Sequence, residues 1–121
     1  MPLIRVRLFH GEECISTVAL VDTGATSTFL PKELADILGL PIIAESDVIA
    51  AGTRFTADVR ILERLRLVKG MEDLCEFERV MVLIPRTEGA IPYMVLGRDT
   101  IFQAFEIRFR EVDGRFVLRK Y

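Results

Sequence analysis

Ala19-Leu20-Val21-Asp22-Thr23-Gly24-Ala25 is an apolar strand running straight into a carboxylate held in a tight, glycine-permitted turn. Apolar walls disfavour an ionised carboxylate unless donors or a second acid share the charge. An acid so placed is a candidate for proton-transfer chemistry. The bland alternative is an Asx-type turn that caps Gly24.

Working outward, Leu3 to Phe9 alternates apolar and basic residues, and Gly11-Glu12-Glu13 supplies a turn before a second apolar run from Cys14 to Val21. That pattern predicts a β-hairpin feeding the Asp22 turn. Phe29-Leu30 resumes extended structure, and Pro31 to Gly39 reads as a short helix, with Pro31 in its first turn, Leu34, Ile37 and Leu38 on one face and Gly39 as its stop. Asp47 to Ala50 and Arg54 to Ile61 form two extended arms around the small-residue tip Ala50-Ala51-Gly52-Thr53. Arg60 to Val68 and Glu76 to Ile84 read as long strands, and Pro85 to Pro92 as a loop. Arg98 to Phe102 predicts a second helix, and Asp113-Gly114 a hairpin between Phe105 to Phe109 and Arg115 to Tyr121. Strand, glycine turn and short helix occur around Gly24 and again around Gly97. A mainly β protein follows, a closed β-barrel with internal pseudo-symmetry and one or two short helices.

The 121 residues suit a single domain over 1–121, half of them are apolar, and the net charge is only -2. That balance points away from nucleic acid and anionic membranes as partners. Arg60, Arg64, Arg66 and Lys69 interleave with Ile61, Leu65 and Leu67, as on a strand with one solvated face. Cys14 and Cys75 are too few for a disulfide scaffold and are read as buried thiols of a reducing compartment. The charged N-terminus does not resemble a secretory signal, and no apolar run reaches the ~20 residues that span a bilayer. A cytoplasmic protein is expected. His10, the sole histidine, is read as an exposed turn residue, so neither a metal nor another cofactor is expected.

Leu20-Val21-Asp22-Thr23-Gly24-Ala25-Thr26, followed at a distance by Val95-Leu96-Gly97-Arg98-Asp99, resembles the retropepsin-like aspartic proteases. The order and spacing fit a whole protomer from Leu3 to Phe109. The resemblance implies an aspartic endopeptidase whose active site is shared by two protomers, since the chain carries one Asp-Thr-Gly. It makes Asp22 the catalytic acid, with its symmetry mate sharing a proton because two carboxylates in contact cannot both ionise cheaply. Thr23 would bond across the two-fold axis, and Gly24 would admit the close approach of backbone and substrate. Ala25 and Thr26 would line the substrate path, with Ala50, Ala51 and Gly52 as the tip of a flap that excludes water. An extended peptide is the implied substrate and a homodimer the implied unit. The alternative is a silent dimerisation or peptide-binding module on the same fold. Viral relatives carry an acid where this chain has Thr26, and that acid pairs with the arginine equivalent to Arg98. Asp99 is read as a helix-start residue in local pairing, not as a second catalytic acid.

Overall fold

The computed structural model describes residues 3–50, 52–101, 105–110 and 115–120, the last two stretches as backbone alone. In chain order the elements are β1 (Leu3–His10), β2 (Glu13–Val21), α1 (Lys32–Leu38), β3 (Ile42–Ala50), β4 (Thr53–Lys69), β5 (Glu72–Pro85), β6 (Met94–Leu96), α2 (Arg98–Ile101), β7 (Phe105–Arg110) and β8 (Arg115–Lys120). Phe102 and the Asp113-Gly114 turn lie outside the described residues.

The strict alternation of β1 buries Ile4, Val6 and Leu8 and turns Leu3, Arg5 and Arg7 outward. Antiparallel pairing with β2 runs from Leu3↔Leu20 to His10↔Glu13. β4 is the spine. Over its 17 residues it pairs β3 at one end, β1 at the other and β5 along its other edge. Its buried face changes along the way. Ala57 and Val59 pack with Val48 and Leu83 in one small cluster, whereas Leu62, Leu65 and Leu67 belong to the main core with Val82 and Ile84. Opposite this switch, β5 bends at Arg79, whose φ of 52° is unusual for a residue with a side chain.

The expected closed barrel does not form. The main sheet has six strands in the open order β3-β4-β1-β2-β6, with β5 branching from β4. β6 is only three residues long and pairs β2 in parallel through Ala19↔Met94 to Val21↔Leu96. Between β6 and β5 there is no ladder. A single residue, Phe29, bridges Leu83 on one side and Val95 on the other. A strand that short has too few backbone groups to close the ring. β7 and β8 form a separate two-stranded sheet.

Pro31 precedes α1 with φ -58°, and Gly39 ends it at φ 68°, its amide donating back to Asp36 at 3.1 Å. The expected apolar face needs correction: Ala35 and Leu38 are buried, but Ile37 is 62% exposed. With ~100° between successive residues, packing through Ala35 and Leu38 swings Ile37 off the contact. Arg60 corrects the solvated-face reading, since it is buried beneath α1 and its Nη1 donates to Asp36 Oδ1 at 3.0 Å. Arg64 and Arg66 do stay at the surface, stacked over the Phe9 ring at 4.7 and 4.5 Å. Cys14 proves exposed and Cys75 half-buried, and His10 half-buried, unlike their expected settings.

Asp36 therefore ties helix to sheet. The Lys32 ammonium hydrogen-bonded to it at 2.7 Å, and next the Arg60 guanidinium, hold its carboxyl below the ordinary value of 3.8. A depressed folded-state value means that the contribution is complete above the unfolded value and is lost as pH falls through the folded one. Asp36→Asn should cost about 1 kcal/mol at neutral pH, because it strips the charge from a buried arginine's partner while the Lys32 side of the pair is solvent-screened. Denaturant titrations of both proteins should converge as pH drops below 3.8.

Candidate active site

The Asp22 loop begins where β2 leaves the sheet beside β6, and the Asp22 amide donates to the Leu96 carbonyl at 3.1 Å. The chain then turns, with the Ala25 amide on the Asp22 carbonyl at 3.2 Å and the Gly24 amide on Asp22 Oδ1 at 2.9 Å. This is the Asx geometry foreseen as the bland alternative. It occupies one carboxylate oxygen, and among the described residues nothing bonds to Oδ2. A Cβ on Gly24 would stand 3.2 Å from Asp22 Oδ1 and press on the carboxylate. Thr23 and Gly24 are both exposed, and Thr23 makes no side-chain hydrogen bond among the described residues.

α2 is knotted into the same loop. The Arg98 amide donates to the Ala25 carbonyl at 2.9 Å, and the Asp99 amide to the Thr26 carbonyl at 3.0 Å. Behind them lies Thr28, fully buried. Its hydroxyl accepts from the Gly97 amide at 3.1 Å, donates to Asp99 Oδ1 at 3.0 Å and lies 2.8 Å from the Thr100 hydroxyl. Asp99 is thus a local structural partner, as expected. Thr28 was not foreseen. The hydroxyl run Thr26-Ser27-Thr28 was its only trace, and the alternation of a chain entering a core does not tell which hydroxyl goes inward.

Asp22 opens onto a groove of about 1030 Å³. Its walls are the loop residues Ala25, Thr26 and Ser27, the β3–β4 hairpin and the segment after β5. Phe29, Val48, Phe55 and Leu83 give it an apolar floor. Of the expected hairpin tip, Ala50 is placed as backbone only, Gly52 takes φ 78°, and Ala51 lies outside the described residues. Arg86 fixes the hairpin's base, its Nε donating to Asp58 on β4 at 3.1 Å and its Nη2 to Glu45 on β3. Its guanidinium is held further above its ordinary range by these two carboxylates, Asp58 first. Among the described residues no group of three His, Cys, Asp or Glu side chains could hold a metal ion.

A family profile described as aspartyl protease matches residues 6–100, which include both the Asp22 loop and the Gly97 turn. The chain belongs to the aspartyl protease family. Its fold is retropepsin-like: a retropepsin-like aspartic protease from Rickettsia conorii superposes with a TM-score of 0.64 at 22% identity, covering 96% of this chain and 80% of that one. No curated protein matches the chain as a relative.

In this family member the tightest spot is Gly97, where any Cβ would collide with the Ser27 carbonyl. Gly97→Ala should therefore destabilise the protein by at least ~1–3 kcal/mol, since the obstacle is backbone and cannot rotate away. Thermal melts should show the loss, and an unchanged melting temperature would contradict the close approach.

Proposed function

We propose that the protein is an aspartic endopeptidase that works as a two-fold homodimer, with Asp22 from each protomer forming one catalytic pair. The observation that carries this reading is the half-built site. One Asp22 oxygen is engaged by Gly24, the other is unengaged among the described residues at the mouth of a peptide-sized groove, and an exposed Thr23 and Gly24 stand beside it.

In this reading a water sits between the two carboxylates. One takes its proton as general base while the other, protonated, donates to the scissile carbonyl. The oxygen–carbon bond forms, a tetrahedral intermediate results, and the carbon–nitrogen bond breaks as a proton passes to the leaving amine. The Gly24 amide keeps each carboxylate oriented. The β3–β4 hairpin acts as the flap, with Ala50, Ala51 and Gly52 at its tip, and Ala25 and Thr26 meet the backbone of an extended substrate.

The β7–β8 hairpin supplies a surface for the second protomer. Its register puts Phe105, Ile107 and Phe109 on the same face as Phe116 and Leu118. A two-stranded sheet is stabilised by a cover over such a face. Isologous pairing through a two-fold axis provides one and brings two Asp22 loops into one site.

Asp22→Asn should lower peptide cleavage by ~10²–10⁴-fold with the fold and association state unchanged, checked by peptide-library digestion beside circular dichroism and sedimentation. Full cleavage by that variant would remove the assignment. Specific activity should also fall on dilution in step with the appearance of monomer by sedimentation. Undiminished activity from a monomer would leave the silent site in each chain unexplained and overturn the shared-site reading.

A further inference from the structure

The knot between α2 and the Asp22 loop brings the Arg98 cation beside Thr26. Arg98 is exposed at the first position of α2, and its Nη2 lies 3.4 Å from the Thr26 hydroxyl. It forms no ion pair among the described residues. Its neighbour Asp99 turns its Oδ1 to the Thr28 and Thr100 hydroxyls. Thr26 and Ser27 both line the groove. This end of the groove therefore offers two hydroxyls, and the Arg98 guanidinium stands behind one of them, against Thr26.

The other walls are different in charge. Arg86, also on the groove, already holds two carboxylates, Glu45 and Asp58. Asp47 faces Thr56 and has no cation bound among the described residues. Among the described residues Arg98 thus has bonding capacity to spare at the Thr26 end of the groove. A guanidinium presents a planar fork of donors suited to a carboxylate, and a nearby hydroxyl can complete the contact.

We propose that Arg98, together with Thr26, is a specificity-determining pair that selects peptides carrying an acidic side chain at the position lying over Thr26. This inference rests on the endopeptidase reading above. The contact is remote from the scissile bond and equally available in ground and transition states, so it acts on KM and leaves kcat nearly constant.

The test uses peptides built on one cleaved sequence, in which a single Glu is moved one residue at a time and each peptide is matched by its Gln counterpart. One position should prefer Glu by ~3–10-fold in kcat/KM, through KM, and the preference should shrink as salt is raised. Arg98→Gln should bring the Glu/Gln ratio to one. Thr26→Asp, which gives Arg98 an internal carboxylate, should do the same by another route. The ratio is read within each variant, so a general loss of activity does not obscure it. A wild-type ratio of one at every position, or a preference that survives both substitutions, overturns the proposal. Should no peptide be cleaved at all, the endopeptidase reading fails instead, and calorimetric binding of the same Glu and Gln peptides decides the selectivity by itself.

Discussion

Gly97 lies against the Ser27 backbone with no room for a side chain, and the Asp22 end of the molecule is assembled around that approach. Because Gly97 comes so close, its amide can reach the buried Thr28 hydroxyl, and α2 can follow directly with its first amides on the Ala25 and Thr26 carbonyls. Those bonds satisfy backbone groups that would otherwise be buried without partners. They also hold the loop that aims Asp22. Among the described residues the carboxylate itself adds only one bond, to Gly24, so its direction is set by backbone wrapped around a glycine and a threonine.

Much of this was readable in advance because it depends on local chemistry. Asp22-Thr23-Gly24 and Leu96-Gly97-Arg98-Asp99 announce two tight turns after apolar strands, and Gly39 announces the end of α1. What could not be read depends on which element covers which. The alternation around Arg60 is the same whether solvent or a helix lies above it, and only the placement of Asp36 gives the buried guanidinium a partner. Ile37 was misplaced for the converse reason, as its apolar character says nothing of how far α1 rolls on the sheet. The barrel failed to close because β6 is three residues long, a boundary that an apolar run from Tyr93 to Leu96 does not reveal. Thr28 escaped notice because a hydroxyl is ordinary in a loop and becomes a hub only when three donors and acceptors converge on it.

The groove divides its chemistry between rigid and adjustable parts. Its apolar floor of Phe29, Val48, Phe55 and Leu83 is a satellite of the main core, so its shape follows the packing of β4 and β5. Its charged parts sit at the ends. Arg86 bridges both arms of the hairpin at their base.

β4 joins these regions physically. At ~3.3 Å per residue its 17 residues extend on the order of 50 Å, one end in the hairpin beside the groove and the other, at Val68 and Lys69, between Arg5 on β1 and Glu72 on β5. A single uninterrupted strand of that length behaves as a lever. Its fulcrum is the stretch around Arg60, buried on both faces and pinned to α1 through Asp36. Displacing the arm at the Lys69 end would tilt the arm over the groove, so a molecule gripping the outer surface there could alter access to Asp22 without touching it.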